Sequence, residues 1–210
     1  LEPTSEIAER AVKMMILKSV SVAMALALAT GSALAESPER IVFVRHGEKP
    51  PLGLGQLDCQ GLNRALALPA YFAKTFGKPD AMFAPNPSVQ KKDAGRPYDY
   101  IRPLITIEPT AIFFGLPVNV DHGLADIDGL RAALEAPDHA HALVFVAWEH
   151  KIIDVIVRDL LKAHGGDPAT VPDWEEDDYD SVDLVTLDGD KASFTRLREG
   201  LNDQSKACPG

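Results

Sequence analysis

The chain has 210 residues, 46% of them hydrophobic, and a formal net charge of −10. That length suits one domain with a sizeable core. The acidic balance excludes a general attraction to nucleic acid or to an anionic membrane surface, so any anionic substrate must be drawn by a local cluster of positive charge.

The first informative stretch is "KMMILKSVSVAMALALATGSALA", Lys13 to Ala35. Lys13 and Lys18 lead into an apolar run from Val20 to Leu28, followed by an Ala33-Leu34-Ala35 ending. This is the basic, apolar and A-x-A pattern of a secretory signal peptide. The run is too short for a membrane span, which needs about 20 apolar residues. The expected organisation is an upstream remnant over 1–13, a signal peptide over 14–35 and a single domain over 36–210. The domain would be periplasmic or secreted, with no membrane association after cleavage. Export would place Cys59 and Cys208 in an oxidising compartment, where one disulfide could tie the C-terminal tail to the first loop region. The alternative is two unpaired thiols. Two cysteines without nearby histidines give no zinc site.

Ile41-Val42-Phe43-Val44 is a continuous apolar run, suited to a strand covered on both faces. Gly61 to Phe76 carries a helical apolar stripe that Pro69 interrupts or kinks. Ala81 to Ala84 reads as a second strand, halted by Pro85. Ser88 to Tyr98 is polar and reads as a loop. A helix starts near Arg102, with Pro103 in its first turn and Ile105, Ile112 and Phe113 toward the core. Leu124 to Leu134 is weakly helical. "HALVFVAW", His141 to Trp148, is another buried strand, and Ile152 to Leu161 an amphipathic helix. Val182 to Leu187 and Ala192 to Leu197 alternate as a hairpin around Asp188-Gly189. The acidic run "DWEEDDYD", Asp173 to Asp180, reads as a solvated loop rather than a calcium site. Strands alternating with helices predict an α/β fold, a three-layer sandwich with a mainly parallel central sheet and helices on both faces.

In such sheets ligands bind beyond the carboxyl ends of the strands. Two apolar strands end in histidine here, "VFVRHG" at His46 and "FVAWEH" at His150. Arg45 adjoins the first, and Arg102 opens a helix, whose start favours anions. Two arginines offer forked, charge-assisted bonds to phosphoryl oxygens. A neutral imidazole among them is a competent nucleophile, and Gly47 would let the backbone turn and approach the phosphate. Glu48 and Lys49 read as a surface ion pair, Asn63 and Arg64 as structural. Trp148 reads as core, and His122, His139, His141 and His164 as exposed.

"VRHGEKP" resembles the signature of the histidine phosphatase superfamily, which includes the phosphoglycerate mutase-like branch and the acid phosphatases. "LDCQGLNRALAL" is similar to that family's first helix, "RPLITIEPTAIFFGLPV" to its R-A-x-Q-T-A-x-x-L-A and G-L-P-V segments, and "VFVAWEH" stands where the second histidine falls. The resemblance implies that His46 is the phosphorylated nucleophile. It implies that Arg45, Arg102 and His150 complete the phosphate pocket, with Arg96 as the competitor for Arg102. The implied reaction is hydrolysis of a phosphate monoester through phosphohistidine, with no metal or other cofactor. The implied partner is a small phosphorylated substrate. Neither the R-x-P extension of the phytase branch nor an acid after His150 is present. The proton donor to the leaving group is therefore open: Asp126 of "LADID" stands first, Glu149 second, Asp128 third. A non-catalytic phosphate-binding protein of the same fold is the alternative reading, and a purely structural domain a third.

Overall fold

The computed structural model describes residues 37–210. The expected upstream remnant and signal peptide lie outside the described residues. Strand β1 (Glu39–Arg45) is central, and its Ile41-Val42-Phe43-Val44 run is fully buried. It pairs in parallel with β5 (Leu143–Trp148) and antiparallel with β6 (Ser181–Asp188). With β2 (Ala81–Phe83) and β7 (Lys191–Arg198) the sheet order is β2-β5-β1-β6-β7. β2, β5 and β1 are mutually parallel, while β6 and β7 form the expected hairpin.

Successive strand residues point to opposite faces. Val42 and Val44 pack with Leu68 and Phe72 of α1 (Cys59–Thr75) and with Ile107 and Ala111 of α2 (Arg102–Phe114). Ile41 and Phe43 pack with Leu130 and Leu134 of α3 (Ile127–Leu134) and with Ile153, Ile156 and Leu160 of α4 (His150–Ala163). Helices therefore cover both faces, giving the predicted three-layer sandwich. No helix among the described residues is long and apolar enough to cross a membrane.

Four expectations need correction. Helix α1 is not interrupted at Pro69, because Leu68 and Phe72 are fully buried and Phe72 stacks on Phe145 at 4.5 Å. That packing outweighs the roughly 3 kcal/mol a mid-helix proline costs. In α2 the inward positions are Arg102, Thr106, Ile107, Thr110 and Ala111, whereas Ile112 and Phe113 are 74% and 60% exposed. The buried arginine sets the rotation of this helix, so Ile112 and Phe113 face outward while Ile107 faces inward.

The supposed loop at Ser88–Tyr98 contains a two-stranded ribbon, β3 (Gln90–Asp93) with β4 (Arg96–Asp99). Its turn, Ala94-Gly95, has φ of 49° and 82°, as a tight hairpin turn with both central residues left-handed requires. The acidic run after α4 is also more than a solvated loop, since Trp174 and Asp180 are buried and its carbonyls grip the site described below. Cys59 and Cys208 form a disulfide with their Cα atoms 4.5 Å apart. Asn63 fastens the same tail by donating to the carbonyls of Ser205 and Ala207.

Candidate active site

The site forms where β1 and β5 end side by side. Arg45 lies opposite Trp148 in the parallel register, and the His46 N–H donates to the Trp148 carbonyl at 3.0 Å. His46 and His150 thus leave neighbouring strand tips. The His46 ring is buried, and its Nδ1 lies 2.8 Å from the Gly47 carbonyl oxygen. A carbonyl only accepts, so Nδ1 carries the proton and Nε2 keeps its lone pair. Burial holds this imidazole well below the usual histidine range; the Gly47 bond opposes that, while Arg102, Arg45 and Lys91 add to it. The ring is a neutral imidazole with one open nitrogen.

Two tyrosines flank it, Tyr100 edge-on at 6.0 Å and Tyr179 at 6.2 Å between ring centroids. Each carries an arginine: the Arg102 guanidinium lies 4.7 Å over Tyr100 and that of Arg45 4.0 Å over Tyr179. Arg45 Nη1 donates to the carbonyls of Glu175, Glu176 and Asp178, while its buried Nε has no protein partner among the described residues. The Glu176 carboxylate then reaches back, 3.3 Å from His150 Nε2 and 3.2 Å from Lys151 Nζ. Arg102 is held by Asp93 of β3, at 2.7 Å through Nη1 and 3.3 Å through Nη2. Asp93 also accepts from the Gly55 N–H. The structure therefore connects Arg45, His46, Arg102 and His150 around one strand edge. Arg96, the competitor, is exposed on β4.

The acid candidates fare differently. Asp126 caps α3, accepting from the Gly129 N–H, and pairs with His122 at 3.0 Å. His122 and that amide hold its carboxyl below the usual range, and its side chain is 50% exposed. Asp128 stands in the first turn of α3. Glu149 follows β5 and caps α4, its Oε2 accepting from the Lys151 and Ile152 N–H groups. Its Oε1 lies 3.1 Å from His150 Nδ1 and 3.8 Å from Lys91 Nζ. Burial works to raise Glu149, but His150, Lys91 and the helix amides outweigh it and hold it at about 2. The N–H groups opening both site helices are already engaged at these positions, since the Arg102 N–H donates to the Gly55 carbonyl. At these positions the side chains rather than the backbone N–H groups are left to bind an anion.

Gly47 is needed for a different reason than a left-handed turn. A Cβ there would lie 2.9 Å from the Gly61 backbone, and one on Gly61 would lie 2.4 Å from the Glu48 carbonyl oxygen. The motif loop and α1 cross with no room for side chains, and the Gly47 N–H is free to donate to Thr106 Oγ1 at 2.9 Å. Gly61→Ala is expected to lower stability by about 1–3 kcal/mol through overpacking and to lower activity as well, because Glu48 must move. A denaturant melt together with a turnover assay checks both effects; an unaltered midpoint would mean that the crossing is looser than it stands.

Glu48 pairs with Arg64 at 2.7 Å rather than with Lys49. Arg64 is fully buried and also contacts Asp180, Glu199 and Asn202. It thereby ties the residue after the motif to the strand and tail that hold the acidic run. The sequence reading did not single out Lys91, Asp93, Tyr100, Thr106, Glu176 or Tyr179 for the site. Only the aromatic two residues before Arg102 offered a signal, as a stacking partner for a guanidinium. Among the described residues no group of three or more His, Cys, Asp or Glu side chains could hold a metal ion.

The fold is similar to that of solved structures described as phosphatases. No family model matches the sequence, and no curated protein matches it. Solved structures do. A protein from Agrobacterium tumefaciens proposed to be the phosphohistidine phosphatase SixA aligns with a TM-score of 0.52 at 14% identity, over 76% of this chain and 97% of that one. Its proposed counterpart from Nakamurella multipartitia aligns at 0.51 and 15% identity, over 77% and 94%. Mycobacterial glucosyl-3-phosphoglycerate phosphatase aligns at 0.51 and 16%, over 76% and 97%. At these identities the likeness shows the fold, and the chemistry rests on the site.

Proposed function

We propose that the chain is a phosphatase that hydrolyses a small phosphate monoester through a phosphohistidine on His46, after export from the cytoplasm. The observation that carries this reading is the neutral, buried His46 with Nδ1 tied to the Gly47 carbonyl, Nε2 open, and two guanidinium groups beside it. Such a nitrogen can attack phosphorus, because its lone pair is available and its orientation is fixed in advance. Arg45 and Arg102 stabilise the charge spread over the transferring group, and their backbone and Asp93 partners hold them in place before substrate arrives. The His150 ring, now 3.3 Å from the Glu176 carboxylate through Nε2, becomes a further donor to the same oxygens when that contact is exchanged. Water then attacks the phosphoryl group on His46 and releases phosphate. The fold's occurrence in proteins described as phosphohistidine and glucosyl-3-phosphoglycerate phosphatases supports the class of reaction. The signal-like segment and the disulfide support export.

A phosphate binder without turnover is the second reading. It is favoured by one observation: Asp126 and Glu149, the carboxylates first in line to protonate a leaving group, are both held in the ionised form. Incubation with p-nitrophenyl phosphate and a chelator separates the two. Turnover is expected to persist, with a labelled phosphoryl group recovered on His46 after alkaline quench. Tight phosphate binding with no release of nitrophenol would favour the binder instead.

A further inference from the structure

We propose that Lys91 donates the proton to the leaving oxygen, a role that rests on the phosphatase reading above. The departing alkoxide or phenoxide needs a proton, yet three carboxylates beside the site are already committed as ions. Asp93 grips Arg102, Glu149 caps α4, and Glu176 sits against His150 and Lys151. Each is held below the usual carboxylate range. The arginines cannot give up a proton near neutral pH. Lys91 is a cation beside the ring that packs on His46, and hairpin geometry brings it in: alternate residues of β3 point to one side, so Lys91 and Asp93 turn inward and Lys92 outward.

Its ammonium lies 5.0 Å over the Tyr100 ring, the same ring that packs against His46 and carries Arg102. The nearest carboxylate oxygen, Glu149 Oε1, is 3.8 Å away, too far to hold a proton in a hydrogen bond. Among the described residues its N–H donors make no hydrogen bond, which leaves them available to a substrate oxygen. Five groups act on it electrostatically or by packing: Arg102 from α2, Lys49 from the loop after β1, Glu149 from the start of α4, Asp93 from its own hairpin, and the Tyr100 ring. Burial, Arg102 and Lys49 lower its proton affinity, and Glu149 and Asp93 oppose them; the balance is a lysine below its usual range. A lysine so placed gives up a proton more readily than one in water.

The steps balance. His46 Nε2 bonds to phosphorus and the ester P–O bond breaks, its electron pair staying on oxygen. That oxygen takes a proton from Lys91 Nζ and leaves as an alcohol. The neutral amine then takes a proton from the water that attacks the phosphohistidine. The P–N bond breaks, its pair returns to His46, and Lys91 is an ammonium again as phosphate departs.

The test is kcat/KM over a series of aryl phosphates, from nitrophenyl to methoxyphenyl, in the native chain, Lys91→Met and Lys91→Arg. A better leaving group needs the proton less. Lys91→Met is expected to lose less than about 10-fold on the nitrophenyl ester and at least about 100-fold on the methoxyphenyl ester, within the range typical of a general acid. Lys91→Arg keeps the charge but cannot release a proton, so it should show the same steepened dependence. Retained nitrophenyl activity reports that each variant is folded. Equal losses across the series, no loss, or recovery in Lys91→Arg would overturn the proton-donor role and leave the phosphatase reading standing. No turnover by the native chain on any ester would remove that reading and this inference with it.

Discussion

His46→Ala is expected to reduce hydrolysis of p-nitrophenyl phosphate by at least about 10⁴-fold, the scale on which loss of a covalent nucleophile acts. The substitution deletes the one open nitrogen and leaves the arginines clamped by Glu175, Glu176, Asp178 and Asp93. Phosphate binding should therefore survive while turnover does not, a separation that calorimetry and a discontinuous assay can measure on the same sample. A variant keeping more than a few per cent of native turnover would move the nucleophile elsewhere. The same ring makes a pH prediction. Burial keeps His46 neutral well below pH 6.5, so protonation of the nucleophile should not depress the rate on moving from pH 7 to pH 6. A limb attributable to His46 near 6.5 would mean that water reaches the ring more freely than the packing of Tyr100 and Tyr179 suggests.

The second large effect is on stability, at Arg64. This guanidinium is the only cation contacting Glu48, Asp180 and Glu199 in its cluster among the described residues. Arg64→Met fills the same space but leaves buried carboxylates facing one another, and breaking a buried pair in this way typically costs about 3–5 kcal/mol. Chemical denaturation at pH 7 reads the loss directly; a midpoint unchanged from the native chain would show that the cluster is hydrated. Glu199 gives the cluster a pH signature. Burial pushes its carboxyl up to about 8 although Arg64 pulls the other way. A carboxyl whose folded pKa exceeds its unfolded value favours the folded state most below the unfolded pKa of 4.5, and that advantage is lost as pH rises through 8. Glu39, raised to about 7 by burial, acts in the same direction. Glu149, held at about 2, acts oppositely, and its contribution is lost only as pH falls through 2. His46, buried neutral, adds stability as pH rises toward 6.5, so the decline should show between about pH 6.5 and 8. Glu199→Gln should flatten that decline without abolishing it, since Glu39 remains. A native chain equally stable at both ends of the window would contradict the burial of Glu199.

Several features were legible in the residues themselves, and for a common reason. The runs Ile41 to Val44 and Leu143 to Trp148, the amphipathic helix before Gly165 and the hairpin at Asp188-Gly189 all announce themselves through local periodicity and turn chemistry. Histidines ending two apolar strands pointed to the carboxyl edge of a sheet, and β1 and β5 are indeed neighbours there. The outer parts of the site left no such trace. The β3–β4 ribbon is polar on both sides, so no alternation marks it, yet its register brings Lys91 and Asp93 inward. The run Asp173 to Asp180 has the composition of a solvated loop, yet it donates carbonyl oxygens and a tyrosine ring to Arg45. The rotation of α2 is set by where Arg102 and Thr106 find partners, not by where its isoleucines and phenylalanines lie.

By itself the sequence determined the layered α/β plan, the neighbouring histidines and the identity of the arginine beside the first of them. Those depend on short-range pattern, which one stretch of chain carries complete. Tertiary structure alone decided which side chains surround that imidazole and which carboxylates are already occupied. Such pairings join residues up to 135 positions apart, and contacts at that range arise from how the layers pack rather than from any local period.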